Sequence, residues 1–285
     1  MDVSIIIVNH NTKAYTEQTV ASILRHTRDL DYEIIVVDNS SDSQEQYVSL
    51  NKQVQVLSGI ENRGFGQACN LGSQHAKGEV LLFLNSDTQL QDNAIYMAVQ
   101  CKRTKKIGAV GVHLVLPDGK LDHGCKRGFP TPQNALTYFL HLDRLFPESK
   151  KMGQYRAVHV AEHEIGEVDC ISGAFLMLDK VLFLDLGGFD EDFFLYGEDL
   201  DLCYRIKQKG LKIMYYPLTT VIHFKGKSGL EQSNPDVIRW FYQSMVLFYD
   251  KHYRERYGGF LRFLVWLAIY GKMHLALWRG RIHRD

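Results

Sequence analysis

The sequence has little of what nucleic-acid-binding, disulfide-rich or secreted proteins usually contain. Its 33 Lys and Arg residues are balanced by 33 Asp and Glu residues, so no overall positive field attracts a nucleic acid. The five cysteines form no C-x-x-C pair, which favours reduced thiols in a cytoplasmic compartment over disulfides or a zinc site. A strand-like run, VSIIIV, begins at Val3 and leaves no room before it for a secretory signal. We therefore expect a cytoplasmic protein with no disulfide, no zinc and no nucleic-acid partner.

A long uninterrupted apolar run is also missing, although one segment near the end of the chain approaches it. Residues 260–278 are apolar and aromatic, but the uncharged part, residues 263–271, is shorter than the about 20 residues that a membrane-spanning helix needs. Two alternatives remain open for this segment, a helix packed on protein and a helix lying on a membrane surface. In the second, the basic side chains that face anionic headgroups are Arg279, Arg281 and Arg284.

What the chain does have is 45% hydrophobic residues, arranged in short apolar runs that alternate with segments of helical length. Because the runs are continuous stretches of Val, Ile and Leu, they predict strands that are covered on both faces. An α/β fold with a mostly parallel sheet and right-handed crossovers follows from this alternation. The predicted strands are residues 3–8, 32–37, 54–57 and 80–84, and the predicted helices are residues 13–26, 43–50, 66–76 and 92–103.

The second half of the chain continues this pattern after a long irregular stretch. Residues 117–167 begin with a Pro-Asp-Gly turn and are otherwise polar and rich in Gly and Pro, so we expect a mobile insertion. The further predicted elements are a strand at 168–178, a helix that stops at Gly210, a strand pair at 212–216 and 221–224, and helices after Pro235. We divide the chain into a domain at 1–232 and a C-terminal helical extension at 233–285.

Each of the first four predicted strands is followed by a cluster of polar residues. In a parallel sheet the carboxyl ends of the strands meet at one edge, and ligands bind there. Four such clusters predict a site that is large enough for a nucleotide. They are Asn9-His10-Asn11, Asp38-Asn39-Ser40, Asn62-Arg63-Gly64 and Asn85-Ser86-Asp87.

Three of these clusters allow two interpretations each. The Asp38 carboxylate either contacts a nucleoside or forms a turn. The glycine-rich segment at 61–72 either cradles phosphates or is an ordinary turn, and it matches no general phosphate-binding motif. Asp87 either belongs to an Asx turn or binds Mg²⁺, an ion that proteins often hold with one or two carboxylates while substrate phosphates and water complete its shell.

Two later motifs are candidates for chemistry. Residues 197–201, GEDLD, open a predicted helix, where acidic side chains cap free N–H groups, but one of them can also act as a general base toward an alcohol. His223 ends a predicted strand, before a loop that contains Lys225 and Lys227. It is either structural or a ligand of a metal or a diphosphate, and in the second case the two lysines would stabilise a departing phosphate.

In this order, the motifs resemble those of the family 2 inverting glycosyltransferases with the GT-A fold. The resemblance spans residues 3–229 and rests on SIIIVNHN, VVDNSS, ENRGFGQACN, LFLNSDT, GGFDEDFFLYGEDLDLCYR and VIHFKGKS. It implies a Rossmann-like sheet flanked by helices, and transfer of one sugar from a nucleotide-diphosphate sugar to a saccharide or lipid-linked acceptor. Such a single displacement needs a base on the acceptor side and charge neutralisation at the leaving diphosphate, but no enzyme nucleophile.

The resemblance also implies roles for individual residues. The residues that would contact the donor are Asn9, Asn11, Asp38, Asn62, Arg63, Gly64, Asn85 and Asp87. An Mg²⁺ or Mn²⁺ ion would be held by Asp87 and His223. The acceptor would contact the 117–167 region and three residues, Arg127, Asp190 and Glu198. The general base would be Asp199, with Glu198 as the alternative.

Two departures from the family pattern change what the resemblance implies, one for metal binding and one for the number of sugars added. Asn85 stands where an Asp-x-Asp motif has its first Asp, so metal binding would rest on Asp87 and the donor phosphates. The segment DVIRW at 236–240 replaces the Gln-x-x-Arg-Trp of processive synthases, so we expect a single addition. The NSDT form is similar to a rhamnosyltransferase-like branch that builds bacterial surface polysaccharide. This similarity implies dTDP-rhamnose as donor, and a UDP-sugar is the alternative. A lipid-linked acceptor would favour the membrane-surface alternative for residues 260–278, and with it a peripheral position at the inner face of the cell membrane.

Two other classes of function remain open. The replacement of a motif carboxylate by Asn85 suggests a non-catalytic assembly subunit that only binds sugar nucleotides. Nucleotide binding without turnover would distinguish such a subunit from an enzyme. A nucleotidyltransferase on a similar sheet would release diphosphate from a nucleoside triphosphate, but no glycine-rich activation loop directly follows residues 3–8.

Overall fold

The structure, a computed structural model, describes residues 1–103, 106–139, 145, 149, 153–226 and 234–282. The strands are β1 (Val3–Asn9), β2 (Tyr32–Asp38), β3 (Val54–Leu57), β4 (Val80–Asn85), β5 (Thr88–Leu90), β6 (Ile107–Val115), β7 (Lys126–Arg127), β8 (Gly166–Val168), β9 (Cys170–Ile171), β10 (Phe175–Asp179) and β11 (Lys212–His223). The helices are α1 (Lys13–His26), α2 (Phe65–His75), α3 (Ala94–Lys102), α4 (Pro132–Phe139), α5 (Lys180–Asp185), α6 (Glu198–Gln208), α7 (Pro235–Tyr253) and α8 (Gly259–Ile282).

The described strands form one large mixed sheet and one small hairpin-like pair. The large sheet has the order β3-β2-β1-β4-β10-β6-β11-β5, with β8 beside β11, and the small one pairs β7 with β9. Neighbours from β3 to β4 are parallel, as are β6 and β11, whereas β10 is antiparallel to both β4 and β6. Ile5 of β1, Val36 of β2 and Leu82 of β4 are fully buried. Helices flank the sheet at these strands. The predicted α/β class with a mostly parallel sheet is confirmed.

One predicted helix, at residues 43–50, is wrong. The structure has only a short 3₁₀ turn there, Ser43–Glu45. Side chains from the ends of two strands take the backbone groups that a helix would pair internally: Asn9 Nδ2 donates to the Glu45 carbonyl at 2.9 Å, and the Asp38 carboxylate accepts from the Tyr47 N–H. The polar residues at these strand ends therefore hold the segment as a loop.

The strand predictions for the second half need two corrections. The apolar run at 168–178 is not one strand, because the chain leaves β8 at Val168, forms β9 and enters the sheet again only at β10. The predicted strand pair at 212–224 is instead the single strand β11, whose register against β6 shifts between Tyr216 and Thr220. Pro217 lies in this irregular stretch, and proline, which has no N–H to donate, is usually found at such bulges.

The region 117–167 contains regular structure in the part that the structure describes. The predicted turn is present, with the Gly119 N–H donating to the Leu116 carbonyl at 2.8 Å. β7, α4 and a 3₁₀ turn at Gln154–Arg156 follow. Residues 140–144, 146–148 and 150–152 lie outside the described residues, as does Lys227 in the basic loop, and mobility of the insertion stays a prediction.

The two C-terminal helices pack against each other, and α8 has one covered face and one exposed face. Ile269 and Met273 are buried, whereas Phe260, Phe263 and Leu267 are 77%, 61% and 60% exposed. The 21 residues Gly259–Arg279 are long and apolar enough to cross a membrane by length and composition, with a mean hydropathy of 1.4 over an 18-residue window. Because one helix continues through the interrupting charges, the length of the segment does not exclude a spanning helix, and its position on a membrane surface or on protein stays a prediction. The side chains of Arg281 and Arg284 lie outside the described part of the chain.

Candidate active site

A cavity of about 830 Å³ lies at the carboxyl ends of the parallel strands β1, β2 and β4. Residues that follow each strand contribute to its wall, as expected for an open α/β sheet. Part of the wall is polar and carries Asn62, Asn85, Asp87 and His223, together with residues at the start of α6. Another part is apolar and comes from α7 and α8. The cavity therefore borders both groups of candidate residues, those expected at a diphosphate and those expected at an acceptor.

The first group is a row of three buried side chains, Asp87, His223 and Asp122. His223 Nε2 lies 3.3 Å from Asp87 Oδ1, and His223 Nδ1 lies 2.8 Å from Asp122 Oδ2. Lys225 Nζ binds the other oxygen of Asp122 at 2.7 Å. The imidazole is thus held between two carboxylates, and the sheet fixes it because β11 pairs with β5 directly after Asp87.

Electrostatics favours charge on two members of this row, His223 and Asp122. Burial by itself would lower the pKa of His223, but hydrogen bonds to Asp122 and Asp87 outweigh it and raise the pKa to about 9. Burial would likewise raise the pKa of Asp122, but hydrogen bonds from His223, Lys225 and the Gly124 N–H outweigh it and hold the pKa below its usual range. Asp122 therefore acts as an ionised partner that orients the His223 ring.

The Asp87 and His223 side chains fit a divalent cation. An octahedral ion with bonds of about 2.1 Å has neighbouring ligand atoms about 3.0 Å apart, close to the 3.3 Å between Asp87 Oδ1 and His223 Nε2. The Asn85 amide borders the same position, with its nitrogen 3.4 Å from His223 Nε2. A ligating histidine usually donates its second N–H to a carboxylate, and Asp122 occupies that place. The ion would replace the proton on Nε2.

The glycine-rich segment before α2 also reaches the cavity. Asn62 and Gly64 line it, and the Asn62 side chain accepts from the Gly64 N–H at 3.1 Å and from Asn39 Nδ2 at 3.3 Å. Gly64 has φ +105°, and a Cβ there would press on the Phe194 carbonyl. Only glycine suits this position, because both the left-handed backbone and the close approach of the 194 segment exclude a side chain.

Four of the predicted donor residues lie outside the described cavity wall: Asn9, Asn11, Asp38 and Arg63. Asn9 and Asp38 bond to each other, and Asp38 accepts from the Ser40 N–H two residues ahead, the hydrogen bond of an Asx turn. Asn11 has φ +53° and binds Ser41 and the Asp42 N–H. Arg63 is exposed and pairs with Glu61. For Asp38 the structure supports the turn interpretation, and donor contacts of all four stay predictions.

The second group surrounds Asp199 at the first turn of α6. Arg127 Nη2 lies 2.6 Å from Asp199 Oδ2, which also accepts from the Gly173 N–H at 3.1 Å. The other oxygen accepts from the Leu200 N–H at 2.7 Å. Asp199 is therefore fixed beside the cavity by a cation and two backbone donors. β7, which carries Arg127, pairs with β9 and so brings the 117–167 region to this end of α6.

Glu198 differs from its neighbour. Its side chain is buried, and among the described residues its Oε2 has no hydrogen-bond partner. Burial first, and then the negative charge of Asp199, raise the pKa of Glu198 to about 8. At neutral pH Glu198 is therefore a protonated acid that lines the cavity beside Asp199.

One predicted acceptor residue, Asp190, lies elsewhere. It forms an ion pair with Lys251 of α7 and lines a smaller surface pocket with Arg205 and Gly188. Sequence reasoning missed Asp122 and the apolar wall of the cavity. Asp122 lies within a polar, turn-rich stretch, LPDGKLDHG, and no local pattern distinguishes it from the exposed Asp118. Its role arises only because it meets His223 across 101 residues.

Comparisons with known proteins agree with this geometry. Residues 4–148 match the family described as glycosyl transferase family 2, and residues 160–227 match the N-terminal domain of galactosyltransferase. The chain is 24% identical to the rhamnosyltransferase WbbL of Escherichia coli strain K12, over 78% of this chain and 83% of that protein. It is 27% identical to the O-antigen biosynthesis protein RfbC of Myxococcus xanthus over 84% of this chain, a match that spans only 18% of that protein.

Two solved structures share the fold. One is GalNAc-T7 with UDP, GalNAc and Mn²⁺, at a TM-score of 0.60 and 20% identity over 86% of this chain and 48% of that chain. The other is the mannosyltransferase PcManGT from Pyrobaculum calidifontis with GDP-Man and Mn²⁺, at 0.57 and 18% identity over 98% and 73%. Together with the family match over residues 4–148, these similarities show that the chain belongs to glycosyl transferase family 2 and has the GT-A fold.

Proposed function

We propose that the protein is an inverting glycosyltransferase that moves one sugar from a nucleotide-diphosphate sugar to a saccharide or lipid-linked acceptor. The observation that supports this best is that one cavity is lined both by the Asp87 and His223 pair and by Asp199. A single displacement needs charge neutralisation at the leaving diphosphate and proton removal from the attacking hydroxyl. The residues that provide these two functions must therefore reach the same bound donor and acceptor.

On the donor side, Asp87 and His223 would hold Mg²⁺ or Mn²⁺, which when bound neutralises the charge of the diphosphate as it leaves. Asp122 orients His223 for this role through its 2.8 Å hydrogen bond. Lys225, which contacts Asp122 at the cavity, adds a further cation near the phosphates. Asn62 and Gly64 would position the donor through the backbone before α2.

On the acceptor side, Asp199 would take the proton from the attacking hydroxyl. Arg127 occupies Asp199 Oδ2 at 2.6 Å, so acceptor binding would shift Arg127 or use it as a hydrogen-bond donor to the acceptor. Glu198, protonated at neutral pH, would donate a hydrogen bond to the acceptor rather than remove a proton. No enzyme nucleophile is required, which is consistent with inversion in a single displacement.

The apolar wall of the cavity suggests a lipid-linked acceptor. Phe241 and Met245 of α7 and Leu264, Val265 and Ile269 of α8 line the same space as Asp199. Sugars and phosphates gain nothing from so much aliphatic surface, whereas a hydrocarbon chain attached to the acceptor would. The exposed apolar face of α8 would then lie at the inner surface of the cell membrane, where such an acceptor is held.

The donor proposal is dTDP-rhamnose or a UDP-sugar, within bacterial surface polysaccharide biosynthesis. It is supported by similarity to WbbL, named a rhamnosyltransferase, and by similarity to an N-acetylglucosaminyl-diphospho-decaprenol L-rhamnosyltransferase of Mycobacterium tuberculosis, 24% identical over 79% of this chain. The second name also describes a lipid-linked acceptor, which agrees with the apolar wall.

Asp199→Asn tests the proposed chemistry. The full chain is incubated with Mn²⁺, a panel of sugar nucleotides and lipid-linked acceptors, and release of nucleoside diphosphate is measured. We expect kcat to fall by roughly 100-fold or more, the usual contribution of a general base. Asp185→Asn, an exposed aspartate paired with Lys209, is the matched control and should keep wild-type activity. Wild-type activity in Asp199→Asn would exclude it as the base. Donor binding without turnover by the wild type would favour the assembly subunit instead.

A further inference from the structure

A second cluster of ligand-type side chains lies outside the cavity. His113 is buried on β6, and Glu162 and His163 are adjacent on the segment between the Gln154–Arg156 turn and β8. No residue of this cluster lines the described cavity wall, and none takes part in the proposed transfer. Two imidazoles and one carboxylate at a single point form a set that occurs at zinc sites in proteins.

The distances suit a small tetrahedral ion. His113 Nε2 lies 3.2 Å and His163 Nε2 lies 3.9 Å from the same oxygen, Glu162 Oε1, and one ligand atom of each residue lies within 4.8 Å of the others. Ligand atoms around tetrahedral zinc are about 3.4 Å apart, given bonds of about 2.0–2.1 Å. His113 and Glu162 already meet this spacing. His163 is 77% exposed, so rotation of its side chain can bring it closer.

Two further contacts hold the first two ligands in place. His113 Nδ1 lies 3.2 Å from Thr220 Oγ1 on β11, so Nδ1–H can donate to the hydroxyl while Nε2 keeps a lone pair for a metal. The Tyr215 hydroxyl donates to the Glu162 carbonyl at 2.7 Å and fixes the segment against the sheet.

We propose that His113, Glu162 and His163 form a zinc site that fastens the 157–163 segment to the central sheet. The expectation of no zinc was drawn from cysteine spacing, and a His₂Glu set uses no cysteine. Two imidazoles and a carboxylate suit Zn²⁺, for which one water would complete a four-coordinate shell, whereas the Asp87 and His223 pair suits the harder Mg²⁺ or Mn²⁺ that a diphosphate accompanies. The two metal sites are thus chemically distinct.

The zinc site would also support the acceptor side of the cavity. Lys126 Nζ donates to the Ala157 carbonyl at 3.2 Å and to the Val160 carbonyl at 2.5 Å, which ties the 157–163 segment to β7. The next residue in β7 is Arg127, the partner of Asp199. Zinc that orders the segment would therefore order the strand that places Arg127, without contacting any substrate.

The experiment measures zinc bound by the full, tag-free chain after EDTA treatment and dialysis. Equilibrium dialysis against ZnCl₂, read by plasma mass spectrometry, gives stoichiometry and affinity, and Co²⁺ serves as a spectroscopic probe because its visible bands report a four-coordinate site. The ligand variants are His163→Ala and Glu162→Gln. Their matched controls are His159→Ala and Glu164→Gln, an exposed histidine and an exposed glutamate of the same segment. Because Asp87 and His223 can also take zinc, the difference between variants is the measured quantity.

We expect the wild type and both controls to bind one more zinc per chain than the two ligand variants. Thr220→Val should keep the stoichiometry but weaken affinity by about 10–100-fold, the usual effect of losing an outer hydrogen-bond partner. Zinc should raise the melting temperature of the wild type and not that of the ligand variants, all of which are first checked for folding by melting without metal. Equal zinc binding by wild type and ligand variants, or equal loss in the controls, would overturn the proposal.

Discussion

At the scale of single residues, the proposed donor side has one carboxylate that would bind the metal ion, Asp87, and one that orients its histidine ligand, Asp122. Asp87 and Asp122 flank the His223 ring at 3.3 and 2.8 Å, so the imidazole bridges them. Asp122 is a positioning residue, since it is joined to the proposed metal only through His223. If His223 of β11 supplies the second ligand as proposed, a motif with Asn85 in place of a first aspartate would still present a defined metal position.

Two separate single substitutions in the NSDT motif, Asp87→Asn and Asn85→Asp, test these proposed roles. In Asp87→Asn, we expect Mn²⁺-dependent turnover to fall by more than the about 100-fold that loss of an outer partner can cost, because the amide keeps the size of the carboxylate but loses its charge. Asn85→Asp should be tolerated, because it adds a carboxylate beside the same position. Turnover as a function of Mn²⁺ concentration measures both. Unchanged activity of the Asp87→Asn variant would show that the motif only forms a turn and that Asp87 does not bind a metal needed for turnover.

The acidic pair at the start of α6 makes a prediction about pH. The pKa of Glu198 is raised to about 8 by burial and by Asp199, so the folded state keeps a proton that the unfolded chain loses near its ordinary pKa. Its stabilising contribution is therefore complete below that ordinary value and is lost as the pH rises toward 8.

Glu198→Gln removes this titration. We expect urea unfolding to show that the wild type loses stability relative to Glu198→Gln between pH 5 and pH 9, by more than roughly 1 kcal/mol, since each pKa unit is worth about 1.4 kcal/mol. Glu255→Gln, an exposed glutamate just after α7, should follow the wild type at every pH. Parallel pH profiles for wild type and Glu198→Gln would show that Glu198 is ionised in the folded protein.

At the scale of elements, α8 contributes apolar side chains both to the cavity wall and to the exposed surface of the protein. Its inner face supplies Leu264, Val265 and Ile269 to the cavity, while its outer face exposes Phe263 and Leu267. Phe263 and Leu267 are four residues apart and therefore adjacent on the helix surface. A helix that is apolar on both faces agrees with both alternatives left open by the sequence, packing on protein and contact with a membrane.

The double variant Phe263→Gln and Leu267→Gln tests the outer face. We expect its partition onto anionic lipid vesicles in a flotation assay to fall by roughly 30-fold or more, because each of the two lost side chains removes about 1 kcal/mol or more of apolar transfer energy. Turnover of a water-soluble acceptor should not change. Val181→Gln, which replaces a 78% exposed valine of α5, controls for loss of surface hydrophobicity in general. Unchanged flotation of the double variant would assign the outer face to a protein partner.

At the scale of the whole molecule, donor and metal should bind together. The ligands of the proposed ion come from β11 and from the end of β4, and the expected donor contacts at Asn62 and Gly64 come from the segment before α2. A nucleotide-diphosphate sugar with Mn²⁺ would link these parts of the sheet. A ligand that binds only the folded state raises its stability, by about 2.7 kcal/mol at 100 times Kd.

A thermal-shift screen of sugar nucleotides measures this coupling. With Mn²⁺, we expect the true donor to raise the melting temperature by roughly 5 °C, and dTDP-rhamnose and UDP-sugars are the first candidates. With EDTA in place of Mn²⁺, the shift should disappear. A donor shift that is equally large in EDTA would show that the diphosphate is bound by the chain alone, and the roles proposed for Asp87 and His223 would have to be abandoned.

The fold and part of the site were predictable because they depend on local pattern. Continuous Val, Ile and Leu runs predicted β1 to β4 within a residue, and the boundaries of α1 were predicted without error. The helix predicted at 43–50 does not form, because Asn9 and Asp38, which are distant in sequence, form hydrogen bonds with the backbone of that segment. Side-chain competition of this kind has no period and leaves no local signal.

Strand periodicity and the polar residues after each strand were enough to place Asp87 and Asn62 at one edge of a parallel sheet, since that placement follows from chain direction alone. The pairings that give the site its chemistry arise only on folding. Asp122 meets His223 across 101 residues, and Arg127 meets Asp199 across 72. The charge state of Glu198 likewise follows from burial beside Asp199. Both the distances between side chains from remote segments and their removal from water depend on how the chain packs, so a local stretch of sequence cannot predict them.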